Sequence, residues 1–338
     1  MTRIILIFSI FFSINVEANS LPSTNFKSVQ EFINRMVKEH NFSRKELVTI
    51  FSQVSLRVPA IKDTTKEIKK QKKVTKKKKP MPWNQYRELF VNTERIDNGV
   101  EFWKKYHKKI NEAENKYSVP AEIIVAILGI ETNYGKTKGK HPTFESLTVR
   151  AFGNYRRSKF YKDELESFLL MVRENVLPPL AIKGSYAGAM GYPQFISSSY
   201  RNYAIDFNGD GKVDLFSNPI DSIGSIANYI AKHYWVKNGD IAKQTEIDNE
   251  NKDLAKSYIN KPTITAKLWK EKGIGISPTI KDDTKVSFIL LKHEETIKDE
   301  TWLTFWNFYV LTRYNHDNRY AMAAFQLAEK LKHRFKQK

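Results

Sequence analysis

Glu131 is the residue that sequence alone places best for chemistry. An apolar run, Ile123, Ile124, Ile127, Leu128 and Ile130, puts it on one helical face and then stops at Thr132-Asn133-Tyr134-Gly135. A carboxyl there is part-buried beside whatever groove the turn opens. Desolvation disfavours its charged form and raises its pKa, which is what a general acid requires near neutral pH. The plainer alternative is a snorkelling or salt-bridged acid at a helix end. Of the neighbouring acids, Glu122 falls on another face of the helix and Glu145 reads as a surface group.

What separates the two readings is a second segment, Gly184-Ser185-Tyr186-Ala187-Gly188-Ala189-Met190-Gly191-Tyr192-Pro193-Gln194-Phe195. Gly188 and Gly191 permit a close backbone approach, to a neighbouring helix or to a ligand. Together with Gly129-Ile130-Glu131-Thr132-Asn133-Tyr134-Gly135, it resembles the signature segments of the membrane-bound lytic murein transglycosylase B family of lysozyme-like cell-wall enzymes. The resemblance runs from about Trp83 to about Glu329 and is weakest between Asp240 and Thr301.

The resemblance implies a mainly α (α+β) fold: a lysozyme-like helical core with an additional helical region and a small β subdomain. Glycoside hydrolysis normally uses two carboxylates flanking the bond, and the signature supplies one. The family breaks the bond between N-acetylmuramic acid and N-acetylglucosamine without water. By that resemblance Glu131 protonates the leaving oxygen, then takes the proton of the muramoyl C6 hydroxyl as that oxygen attacks C1. Ser185 and Gln194 are implied near the cleaved bond, and Tyr86, Tyr229, Tyr314, Asn315 and Tyr320 as further sugar contacts. Arg156 and Arg157 are implied partners for peptide-stem carboxylates. For each tyrosine the ordinary alternative is a core position at helical spacing. His233 and His316 read as structural.

Asp206, Asn208 and Asp210 stand at the first, third and fifth places of a calcium-loop pattern, with Gly211 sixth, Lys212 seventh through its carbonyl, and Asp214 ninth. Oxygen donors at alternate positions suit a hard cation. The twelfth position is Ser217, where a bidentate Glu is expected, and the resemblance points to Asp221 as the closing ligand of a longer loop. A metal-free Asx and glycine turn is the competing expectation. No His or Cys cluster points to a catalytic metal, so calcium is expected as a structural ion and no cofactor for catalysis.

A chain of 338 residues, 41% hydrophobic and 13% aromatic, buries a large core. Ile4 to Val16 behind Arg3, followed by Val16-Glu17-Ala18, reads as a secretory signal, too short to span a bilayer comfortably. With no cysteine, neither a disulfide framework nor an N-terminal lipid-modified cysteine forms. The chain is therefore expected to be exported and periplasmic, and it departs from the lipoprotein members of the family.

The net charge of +19 calls for a polyanionic partner. For an exported enzyme that partner is an anionic wall or membrane surface, not nucleic acid, and the resemblance implies peptidoglycan glycan strands as the substrate. Much of the excess lies between Lys62 and Lys79, read as a solvated linker or a loose electrostatic contact.

The expected divisions are a signal at 1–18, N-terminal helices over 19–61 and a lysine-rich linker at 62–82. A helical region at 83–110 and a catalytic core at 111–240 follow, with the calcium-type loop at 206–221. A β-containing subdomain at 241–300 and a helical segment at 301–338 complete the chain. Ser28 and Ser43 have capping-box spacing with Glu31 and Glu46. Pro193 is expected to open a helix. Asn218 and Pro219 start another, in which Ile220, Ile223, Ala227, Ile230 and Tyr234 repeat at three and four. Two other functions fit less well: a muramidase, which needs a second acid in the cleft, and a non-catalytic wall-binding protein, which tolerates loss of Glu131.

Overall fold

The computed structural model describes residues 20–57, 80–153, 155–247 and 261–337. The signal read at 1–18 and most of the lysine-rich segment lie outside them. The chain forms two compact units, Met1–Val74 with Thr148–Lys162, and Thr75–Leu147 with Asp163–Lys338.

In the smaller unit, strands β1 (Ser20–Pro22) and β2 (Ser55–Arg57) pair antiparallel and enclose α1 (Lys27–His40) and α2 (Arg44–Ser52) in sequence. The periodic residues Val29, Phe32, Ile33 and Met36 of α1 are buried, as are Leu47 and Phe51 of α2. Phe152 meets Phe32 and Phe51 edge-on, with centroids at 5.6 and 6.4 Å. Ser43 caps α2 by accepting the Glu46 amide at 3.3 Å. Ser28 does not cap α1: a 3-10 turn at Ser23–Asn25 leads directly into the helix, which starts at Lys27 behind Phe26. The Phe26 carbonyl already takes the Val29 and Gln30 amides, at 2.9 and 3.1 Å.

The larger unit contains α3 (Trp83–Glu88), α4 (Thr93–Tyr117), α5 (Ala121–Thr132) and β3 (His141–Pro142). Helices α6 (Thr143–Phe152) and α7 (Ser158–Glu174) cross the boundary between units. After them come β4 (Lys183–Gly184), α8 (Ser197–Tyr203), α9 (Pro219–Lys232), β5 (Ala242–Thr245), β6 (Ile264–Thr265) and α10 (Ala266–Glu271). Strands β7 (Lys285–Leu291) and β8 (Glu300–Thr304), then α11 (Trp306–Tyr314) and α12 (Asn318–Lys336), complete it.

Helix α5 is the axis of this unit. Every residue from Ala121 to Ile130 is buried, so its apolar run is not the one-sided stripe the spacing indicates but a helix covered all round by α4, α9 and α12. Glu122 is buried too, and its carboxylate meets Lys332 of α12 at 2.7 Å. The helix ends in three successive residues of positive φ: Asn133 (48°), Tyr134 (60°) and Gly135 (92°). This reversal folds the Tyr134 ring back over Gly99 of α4 and Gly129 of α5, where only a missing Cβ leaves room.

Asn218 caps α9 through the Ile220 amide at 2.9 Å, with Pro219 as its first residue. Tyr234, expected inside this helix, lies past its end at φ 65° with 77% of its surface exposed. Pro193 opens no helix. It sits in a turn held by Tyr192 N–H donating to Leu215 O at 2.9 Å and by Gln194 at φ 49°, and α8 begins only at Ser197.

The small sheet runs β5-β8-β7-β6, all antiparallel. Its own core gathers Trp269, Ile274, Val286, Phe288 and Leu303, with Trp269 perpendicular to Phe288 at 5.1 Å. Strand β8 leads through Phe305 into α11, tying the sheet to the helical core.

Gly99→Ala forces the Tyr134 wedge out from between α4 and α5. Overpacking of this kind costs about 1–3 kcal/mol, so thermal unfolding should show a melting temperature lowered by several degrees. An unchanged melting temperature would mean the wedge is not tightly held.

Candidate active site

Glu131 lies on the last turn of α5, half-buried. Among the described residues one side chain bonds it: Tyr320 of α12, whose hydroxyl donates to Oε1 at 2.5 Å. Burial pushes the Glu131 carboxyl up to about 7, against the pull of that hydrogen bond, which favours the carboxylate.

Around this pair stand tyrosines from three further helices. The Tyr314 ring lies parallel to that of Tyr320, with centroids 6.3 Å apart, and its hydroxyl donates to Pro193 O at 2.6 Å. Tyr229 of α9 meets Tyr314 edge-on at 4.9 Å and donates to Arg313 O at 2.7 Å. Burial, then the charge of Glu131, pushes the phenols of Tyr314 and Tyr320 well up, so both stay protonated hydrogen-bond donors. Tyr86 of α3 is pushed up to about 12, mainly by burial, with Asp317 and Glu131 adding and Arg319 opposing. Arg319 stands 4.7 Å over the Tyr86 ring and is held by Asp317 at 2.5 Å. Asn315 ends α11 exposed, its Oδ1 accepting the Asp317 amide at 3.1 Å.

The glycine-rich segment is fastened to the same helix end. Thr132 Oγ1 donates to Tyr192 O at 3.1 Å and accepts the Gly135 amide at 3.0 Å. Gln194 Nε2 reaches Lys138 O at 3.2 Å and Gly191 O at 2.9 Å. His141 of β3 pairs with Gly184 of β4, and Ser185 follows directly, its Oγ accepting the Ala189 amide at 3.0 Å. Ser185 and Gln194 thus belong to a loop tied to the residue next to Glu131, without bonding Glu131 itself. Arg156 and Arg157 are exposed residues of the smaller unit, with Arg157 4.0 Å from the Phe160 ring centroid. His233 stacks on Tyr229 at 4.2 Å and His316 is exposed.

Two residues that hold the site gave no sequence signal. Arg95 of α4 donates to the carbonyl of Gly129, two residues before Glu131, and to Leu89 O at 3.2 Å. Arg319 fixes Tyr86. Each is one of 56 lysines and arginines with nothing in its spacing to mark it.

The loop from Asp206 is drawn in on its own backbone. Asp206 accepts the amides of Gly209, Asp210 and Gly211 at 2.7 to 3.2 Å. Buried Asp221 accepts those of Phe207, Asn208 and Asp214, at 2.9, 3.2 and 2.9 Å. Burial pushes the Asp221 carboxyl up, and the charge of Asp206 adds to it. Asp210 Oδ2 accepts the Asn208 side-chain amide at 2.7 Å. Gly209 and Gly211, at φ 80° and 86°, set the turn in open space. The side-chain donors of the loop, Asp206, Asn208, Asp210 and Asp221, are oxygens of the kind a hard divalent cation takes. As the side chains stand, no three His, Cys, Asp or Glu residues among those described converge on an ion position.

A cavity of about 1010 Å³ beside Trp302 and Phe325 and one of about 860 Å³ beside Trp306 do not include Glu131. No helix among the described residues is long and apolar enough to cross a membrane.

The chain matches the transglycosylase SLT domain over residues 25–329. It is 37% identical over 309 residues to membrane-bound lytic murein transglycosylase B of Escherichia coli K12, covering 90% of this chain and 82% of that protein. The soluble lytic transglycosylase SltB1 of Pseudomonas aeruginosa superposes with a TM-score of 0.78 at 35% identity, over 91% of this chain and 99% of that one. The Escherichia coli lytic transglycosylase Slt35, solved in complex with calcium, gives 0.77 at 35% identity, over 96% and 99%. With a lysozyme-like helical fold and likeness of this extent, the chain belongs to the transglycosylase SLT domain family of lytic transglycosylases.

Proposed function

We propose that this enzyme cleaves the β-1,4 bond between N-acetylmuramic acid and N-acetylglucosamine in peptidoglycan strands without water, with Glu131 as acid and then base. The observation that carries the reading is a half-buried carboxyl, its pKa raised to about 7, with one of its oxygens held by Tyr320. The Glu131 proton passes to the glycosidic oxygen as its bond to C1 breaks. The muramoyl C6 oxygen then bonds to C1, and its hydroxyl proton returns to Glu131, leaving a 1,6-anhydro end. A pKa near the working pH lets one group do both.

Tyr320 is then a positioning residue for the acid. Tyr229 and Tyr314 have committed their hydroxyls to Arg313 O and Pro193 O, so the partly exposed Tyr314 would meet a sugar through its ring, with Tyr229 buried behind it. Tyr86, Asn315, Ser185 and Gln194 are the further glycan contacts in this reading, and Arg156 and Arg157 take stem carboxylates. Calcium held by Asp206, Asn208, Asp210, the Lys212 carbonyl and Asp221 would brace the turn between α8 and α9. We place the enzyme in the periplasm after export, with the lysine-rich segment in loose electrostatic contact with anionic wall or membrane.

Mass spectrometry of products from purified peptidoglycan tests the reaction. Anhydro ends are expected, one water lighter than the reducing ends of a muramidase, and absence of products would point to a wall-binding protein. Glu131→Gln should lower turnover about 10³-fold or more with the fold intact.

The same variant tests the burial. Because folding favours the neutral carboxyl, its stabilising contribution is full below the ordinary value of 4.5 and is lost as pH rises through about 7. Above pH 7 the wild type carries roughly 3 kcal/mol of ionisation cost that Glu131→Gln lacks. Chemical denaturation should therefore show the variant gaining stability relative to wild type between pH 5 and pH 8; a constant difference would refute the shift. Calcium should raise the melting temperature above that in chelator and leave the rate of cleavage unchanged, while identical melting curves would argue against binding.

A further inference from the structure

The outer face of α11 carries a construction that the acid–base chemistry leaves unused. Trp306, Tyr309 and Arg313 recur at intervals of three and four, partly exposed, while Asn307, Phe308, Val310, Leu311 and Thr312 are buried. Two cations stand over these rings. The Arg313 guanidinium lies 4.2 Å from the Tyr309 centroid, and Lys261 Nζ lies 5.7 Å from that of Trp306 and 5.8 Å from that of Tyr309. Neither has a carboxylate partner among the described residues.

Arg313 Nε is buried without an acceptor, and Nη2 gives one N–H to Thr312 Oγ1 at 2.9 Å. A guanidinium half-withdrawn from water, stacked and facing no anion among the described residues, keeps most of its donor fork uncommitted. Trp306 also walls the cavity of about 860 Å³, whose rim carries Lys261, Lys281 and Lys285 against Asp240 and Asp283. Trp306 to Arg313 spans about 10 Å at the helical rise per residue, the length of roughly three extended residues. The ledge adjoins the catalytic group through the chain itself: Arg313 precedes Tyr314, and its carbonyl accepts the Tyr229 hydroxyl.

We propose that the Trp306–Tyr309–Arg313 ledge, with Lys261, binds the carboxylate-bearing peptide stem of the glycan substrate. This extends the reading above from sugar backbone to side branch, and rests on it. The guanidinium fork matches a carboxylate, and the ring faces take the aliphatic parts of a short extended peptide.

Calorimetric titration of L-alanyl-D-glutamyl-diaminopimelate into the full chain tests this without cleavage. Wild type and Glu131→Gln should bind the peptide equally, with affinity falling as salt rises. Arg313→Gln should weaken binding about tenfold, and Arg313→Lys should restore part of it. Equal affinity for wild type and Arg313→Gln, or no binding by wild type, overturns the proposal. Should Arg313→Gln melt early, exposed Lys261→Gln makes the same comparison.

In turnover, Arg313→Gln should raise KM on stem-bearing strands and not on strands stripped by an amidase, with kcat unchanged. An equal rise on both overturns the proposal. Peptide binding by a wild type that cuts neither strand would remove the transglycosylase reading and leave the ledge standing.

Discussion

The site depends on one carboxyl held between two opposing effects. Burial at the end of α5 strips water from Glu131 and favours its neutral form, while the Tyr320 hydroxyl at 2.5 Å favours the charged one. The balance holds its pKa near 7, where neutral and charged forms are both populated. Either effect alone would spoil this: a fully solvated acid arrives ionised, and a carboxyl buried without a donor holds its proton too tightly.

Most of the surrounding structure keeps that balance in place. Helix α5 is enclosed on all sides, so the position of its last turn follows from the packing of α4, α9 and α12. The positive-φ reversal after Thr132, the Tyr134 ring over two glycines and the Arg95 grip on Gly129 O all act within a few residues of Glu131. Thr132 then passes the constraint to the glycine-rich loop through Tyr192 O. Strain at non-glycine positive φ is tolerated where the neighbourhood determines the conformation this thoroughly.

The tyrosines show how one residue type divides its work by where its hydroxyl goes. Tyr229 and Tyr314 bond backbone carbonyls and pack their rings on each other, whereas Tyr320 bonds the acid. On α11 the same helix turns one face inward to this cluster and another outward, where Trp306, Tyr309 and Arg313 form the ledge. The acidic loop before α9 and the antiparallel sheet before α11 each precede a helix that contributes to the cluster, so they stand where they can set its position.

Local patterns were legible in the chain itself. The apolar run before Glu131, the glycine-rich segment, the caps at Ser43 and Asn218, and the alternating oxygens from Asp206 are patterns of residue type and spacing that show in the sequence, and the two caps also rest on bonds within a few residues. The helical fold with its small sheet followed from the resemblance that these segments carry. Ser28 misled because a preceding 3-10 turn had already settled the start of α1, and Pro193 because a long-range bond to Leu215 holds its turn. Tertiary structure decided what depends on distant partners: that α5 is covered on every side, that Tyr320 reaches across 189 residues to Glu131, and that Arg95 and Arg319 hold the site. Spacing can place a side chain on a helix, but only packing chooses the group that faces it, and that group determines how strongly Glu131 keeps its proton.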